Sequence, residues 1–159
     1  MELHKNQDYG LFYLKQIILL FWCAWFFIAF LTNFTDLLTT THTMTASSFR
    51  SGNYSALEKV IAIHHTPHYL LNMLFILDIF IQGISAILFF TAAICFWRRI
   101  YTWQAINIAF GISMSLWAIF LIMEEIFIAY SYEATHIRLF VFEMVSLLVL
   151  HLLPHQYKK

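Results

Sequence analysis

Glu133 and His136 form a Glu-x-x-His pair, with Glu124, Glu125 and Arg138 close by in the chain. Residues three apart share one face of a helix, so this carboxylate and imidazole can converge on a single ion. Carboxylate-bridged dimetal bundles place such a pair on each of two helices and a Glu on each of two others. This chain has one Glu-x-x-His, so completing a site falls to Asp78 and to the histidines His64, His65 and His68. Imidazole and carboxylate ligands suit zinc, iron, copper or manganese. The candidate ligand set is therefore Glu125, Glu133, His136, Asp78, His64, His65 and His68. Glu125 is preferred to Glu124 because a helix continuing through this segment sets it a little over two turns before Glu133, on the same side, with Glu124 about 100° away. A plainer reading of the same residues is open: a Glu133–Arg138 ion pair, His136 at a helix end, and solvated loop histidines.

Asp78 stands between Phe75-Ile76-Leu77 and Ile79-Phe80-Ile81, and Gln82 follows on the same helical face. A carboxylate in hydrocarbon costs about 2.5–3.5 kcal/mol on insertion scales, so it requires a partner or a water-filled cavity. An interhelical hydrogen bond, at ~0.6–2 kcal/mol, is the structural alternative to a substrate or proton path. Glu143 falls mid-way along the last apolar stretch and meets the same cost. His151 and His155 lie near the end of that stretch, where such side chains reach towards the interface.

The elements that position these residues are four apolar stretches, residues 15–34, 69–97, 106–128 and 137–153. Each approaches or exceeds the ~20 residues of a bilayer span. The 159-residue chain is 61% hydrophobic and 11% charged, with a mean hydropathy of +0.71, where soluble domains carry about 25% charged residues. Seventeen Phe, eight Tyr and five Trp supply aromatic girdles. A net charge of zero offers no field to recruit nucleic acid. Cys23 and Cys95 both sit in apolar stretches without paired spacing, as buried small side chains do. No small-residue cleavage site follows the first stretch, which is expected to remain as an anchor.

The expected fold is all-α: one integral membrane domain over residues 1–159, a four-helix transmembrane bundle. Short connections at 98–104 and 130–135 make its neighbours antiparallel, up and down. Lys5, Lys15, Arg98, Arg99, Lys158 and Lys159 fall on one side of that layout, and Arg50, Lys59 and Arg138 on the other. The positive-inside rule then places both termini in the cytoplasm and the 36–68 loop outside. Within that loop Ser55-Ala56-Leu57-Glu58 fits a capping box, and Leu57, Val60, Ile61 and His64 recur at helical spacing. A short amphipathic helix at the membrane surface is expected there, ended by Pro67.

Phe21-Trp22-Cys23-Ala24-Trp25 through Phe30-Leu31-Thr32-Asn33, Ser51-Gly52-Asn53-Tyr54, and Glu125-Ile126-Phe127-Ile128-Ala129-Tyr130 with Glu133, Thr135, His136, Arg138, Leu139 and Phe140 resemble a family of small four-span bacterial membrane proteins. The resemblance implies a bacterial inner-membrane location and no particular activity. Gln82 departs from it, an acidic residue being expected there. Three functions fit the residues: a membrane subunit or scaffold with a polar cluster at its periplasmic face, a metal-binding membrane enzyme or metal-handling protein, and a small proton-coupled transporter. Besides the lipid bilayer, a second copy of the chain or a membrane-complex partner is expected as company.

Overall fold

The structure, a computed structural model, describes residues 2–45, 47–64, 67–100 and 102–154, with side chains from residue 10 onward. Its elements are α1 (Glu2–Thr40), α2 (Asn53–Ile61) with a single 3-10 turn after it (Ala62–His64), α3 (His68–Arg98), α4 (Thr102–Ile126) and α5 (Tyr130–Leu152). No strand occurs among the described residues. Four of the helices are long and apolar enough to cross a membrane, over Gly10–Thr40, His68–Arg98, Thr102–Ile126 and Tyr130–Leu152. The chain is a multi-pass helical bundle of the expected class.

The helices outrun the apolar stretches that announce them. At ~1.5 Å per residue the 39 residues of α1 extend about 58 Å, roughly twice the hydrocarbon thickness. Helix continues through Thr35–Thr40, where side-chain hydroxyls bond back to the preceding turn: Thr39 Oγ1 donates to the Thr35 carbonyl at 2.8 Å. Those bonds satisfy the hydroxyls within the helix itself.

α3 packs against α1 and α4, and α4 against α5. Side chains of α1 also reach α5, closing the bundle. One end carries α2, the 3-10 turn after it and the α4–α5 turn, and we call it the loop end. The other, the tail end, carries the α3–α4 turn and the end of α5. Small residues let α3 approach its neighbours: Ala86, Ala92 and Ala93 are buried, and a Cβ on Gly83 would meet the Phe30 ring at 3.1 Å. Close backbone approach is what drives helix association in lipid, where the hydrophobic effect between helices is absent. Rings fill the space between: Phe26 stacks on Phe89 (5.8 Å, 9°) and on Trp117 (5.7 Å, 28°), and Phe89 meets Phe110 edge-on at 4.8 Å. A second apolar cluster at the loop end joins Tyr54 and Ile61 of α2 to Leu71, Phe75, Ile79 and Phe127.

α2 is the expected short helix, its apolar side (Tyr54, Leu57, Val60, Ile61) packed on the bundle. The capping box is not formed. α2 begins two residues before Ser55, whose hydroxyl donates to the Gly52 carbonyl at 3.0 Å. Gly52, at φ 76, is the residue at the helix start. Only the backbone requires glycine there, since nothing lies within 4 Å of where its Cβ would be.

α5 is the least enclosed span. Only Glu143 and Leu150 of it are buried, and polar contacts fasten it at intervals. His136 and Glu143 bond to α4, Trp22 Nε1 donates to Ser146 Oγ at 3.0 Å, and His151 Nε2 lies 2.9 Å from Asn107 Oδ1. Lys15 Nζ donates to the carbonyls of Leu150 (2.9 Å) and Leu153 (2.8 Å), supplying the orphan acceptors at the end of α5.

Candidate functional site

Two of the predicted ligands, Asp78 and His136, lie in two separate places at the loop end. Asp78 belongs to the first, between α1 and α3. Its Oδ1 accepts from Gln82 Nε2 at 2.8 Å, and its Oδ2 from Asn33 Nδ2 at 3.2 Å. Asn33, 1% exposed, also donates to Gln82 Oε1 at 2.9 Å, and its own Oδ1 accepts from Asn53 Nδ2 at 2.9 Å. The polar stripe of Asp78 and Gln82 thus exists, and its partners are amides. An amide suits position 82 because it accepts from Asn33 while donating to Asp78; a second carboxylate would turn that bond into a repulsion.

The same network ties down the segment between α1 and α2. Ser51 N–H donates to the Thr32 carbonyl at 3.2 Å, and the Thr35 hydroxyl donates to the Phe49 carbonyl. Asp36 Oδ2 accepts from Ser51 Oγ at 3.2 Å and from the Tyr54 N–H at 2.9 Å. It therefore serves from another helix as an N-terminal acceptor for α2, beside Ser51 Oγ, which accepts the Asn53 N–H at 3.1 Å. Tyr54 Oη donates to Asn72 Oδ1 at 2.5 Å. Burial, and then the negative charge of Glu58, push the Tyr54 phenol above its ordinary pKa of 10. Segments 32–36 and 51–54, far apart in sequence, form one seam here.

The second place lies between α4 and α5. His136 Nδ1 lies 2.5 Å from Glu124 Oε1. The imidazole ring lies nearly parallel to Phe120 (4.8 Å, 22°) and Trp117 (5.8 Å, 20°). Glu124 Oε2 is buried without a hydrogen-bond partner among the described residues. Trp117 Nε1 in turn donates to Glu143 Oε1 at 2.9 Å, and Ser113 Oγ lies 2.7 Å from Glu143 Oε2. Glu143 is 0% exposed. A column of Glu124, His136, Trp117, Glu143 and Ser113 therefore runs from the loop end into the bundle.

Glu125, preferred from spacing, is replaced in this column by Glu124. The spacing argument requires one helix from Glu125 to Glu133, and the chain instead turns back at 127–129. There the Phe127 N–H bonds to the Met123 carbonyl at 2.9 Å and the Ala129 N–H to the Glu124 carbonyl at 2.8 Å, with Ile128 at φ 55. The reversal leaves Glu125 exposed and aims Glu124 at α5. Glu133 and His136 share α5 as expected, yet Glu133 is half-buried and forms no ion pair with Arg138 among the described residues. His64 Nε2 lies 3.0 Å from the Ile126 carbonyl, and His68 makes an exposed contact with Glu58 at 3.8 Å. His65, His155, Lys158 and Lys159 lie outside the described residues, and Lys5 outside the described side chains. Among the described residues no three His, Cys, Asp or Glu side chains come together as a metal-ligand group. Of the proposed ligands that are described, Asp78 bonds to amides of α1 and α3, while His136 pairs with Glu124 of α4.

At the tail end, His151 stacks on Trp103 (4.2 Å, 16°), and Lys15 Nζ lies 5.6 Å over the same indole. Comparison with protein-family models, with curated proteins and with solved structures finds no match for this chain.

Proposed function

We propose that this multi-pass protein is a non-catalytic membrane subunit or scaffold, whose outer segment is pinned as a fixed surface for a membrane-complex partner or a second copy. We place it in a bacterial inner membrane with both termini cytoplasmic. The 6-to-3 division of its basic residues supports that orientation. The observation that carries the reading is the seam at the loop end. Asn33, Asp36, Asp78 and Gln82 direct their polar groups at one another and at Ser51, Asn53 and Tyr54. Groups saturated in this way hold a loop in place and leave no open donor set for a reactant. Exposed Phe49, Tyr69, Tyr130 and Tyr132 surround that end, as rings do at a membrane interface.

The test is native electrophoresis of gently solubilised membranes from cells expressing the tagged chain at its natural level. The protein should migrate in an assembly well above its own 18.8 kDa. The double variant Asn33→Ala, Asn53→Ala should leave that assembly while keeping its helical circular dichroism. A wild-type chain that runs only as a monomer would overturn the subunit reading.

A further inference from the structure

Glu143 is the one fully buried carboxylate in the lower half of the column, and nothing in the pinned-loop reading uses it. It is 0% exposed, and its partner Trp117 belongs to the apolar core of the bundle. From α4 it meets Ser113 and Trp117. Around its Trp117 partner α1 brings Phe26 and, through Ser146 on the next turn of α5, Trp22, and α3 brings Phe89, none of them charged. The two ion pairs among the described residues, His68–Glu58 and His136–Glu124, both lie elsewhere. On α5 itself His136 is two turns away and is paired with Glu124. Lys15 of α1 is directed at the Leu150 and Leu153 carbonyls, two turns the other way.

The hydrogens around this carboxyl can be counted. Ser113 Oγ lies 2.7 Å from Glu143 Oε2 and 3.2 Å from the Phe110 carbonyl, and a hydroxyl has one hydrogen to give. If Glu143 is a carboxylate, that hydrogen goes to Oε2, the Phe110 carbonyl loses it, and a full negative charge sits in the core on two neutral donors. A buried charge so poorly compensated is the costliest arrangement open to the site. If Oε2 carries a proton, every group is matched. Oε2–H donates to Ser113 Oγ, Ser113 donates to the Phe110 carbonyl, and Trp117 Nε1–H donates to Oε1, the carbonyl oxygen.

We propose that Glu143 is a proton-binding site, holding one proton on Oε2 between Ser113 and Trp117 in the interior of the bundle. The ligand is the proton itself. The subunit reading does not depend on this site and would survive its failure.

Infrared spectroscopy of the purified full chain in liposomes tests it. At neutral pH the wild type should show the C=O stretch of an undissociated carboxylic acid, shifted in D2O. Glu143→Gln should remove that band, while Glu124→Gln and Asp78→Asn leave the Glu143 contribution in place. The amide of Glu143→Gln can reproduce the same pattern, donating to Ser113 and accepting from Trp117, so the fold should be kept. A second variant, Trp117→Phe, takes the donor from the C=O oxygen and should move the same band to higher frequency. Absence of an acid band at neutral pH would overturn the proposal. So would a band that neither Glu143→Gln removes nor Trp117→Phe shifts.

Discussion

Asp36 of α1 accepts the backbone N–H of Tyr54 at 2.9 Å, across 18 residues of sequence, and so caps a helix to which it does not belong. α2 has Gly52 at its start and no side-chain cap of its own. Asp36→Ala should cost about 0.5–2 kcal/mol, the usual loss on removing an N-cap. The damage should be local. Hydrogen exchange at the amides of 53–61 should speed up, with α3 and α4 unchanged. Equal acceleration throughout the bundle would mean that Asp36 supports something other than this cap.

The acidic pair at the end of α4 offers a contrast within two adjacent residues. Glu124 is 6% exposed and bonded to His136, whereas Glu125 is exposed. Glu124→Ala leaves a half-buried imidazole without its partner, and should destabilise the protein by about 1–3 kcal/mol. Glu125→Ala should stay within about 0.5 kcal/mol of wild type, as surface changes do. Unfolding in mixed micelles at increasing SDS measures both. A Glu125 variant weaker than the Glu124 variant would restore the pairing that spacing alone suggests.

That contrast also shows where sequence reasoning stops. The four spans are legible because hydropathy acts on whole stretches, and Asp78 with Gln82 is legible because both lie on one helix. The partner of His136 is not, because it depends on a reversal at 127–129 that carries no glycine, proline or asparagine. Ile128 adopts φ 55 there, a conformation that a β-branched residue takes at a cost. Asn33 was hidden for a different reason. Nothing local distinguishes it from the polar end of a span, and its role arises only when Asn53, Asp78 and Gln82 arrive from elsewhere in the chain. Asp36 was similarly concealed by the Ser55-x-x-Glu58 pattern, which offered a local cap that the helix does not use.

Lys15 sits at 1% exposure with its ammonium on the Leu150 and Leu153 carbonyls. It holds the tail end of α5, a helix with few buried residues of its own. Lys15→Met preserves much of the apolar stem and removes the donors. Two carbonyls that had charged partners are left, for a loss of about 1–3 kcal/mol. Hydrogen exchange should rise in the last turn of α5 and leave the loop end protected. A Lys15→Met chain with wild-type exchange at residues 149–153 would show that α5 is held there by packing alone.

Tyr54 ties α2 to α3 through Asn72, and its phenol is neutral in the folded protein to higher pH than in the unfolded chain. Burial is the larger cause and the Glu58 carboxylate the smaller. The sign follows from proton counts. Below the ordinary tyrosine value of 10 both states keep the proton, and stability does not depend on this group. Above it the unfolded chain releases the proton first, so stability falls as pH rises through that window. Wild-type protein should therefore lose stability on going from pH 9 to pH 11 more steeply than Tyr54→Phe, although the variant starts lower for want of the Asn72 bond. Denaturation midpoints at the two pH values, compared between the two chains, give the difference directly. Parallel losses in both would mean that the alkaline weakness comes from other groups and that Tyr54 ionises as freely in the fold as outside it.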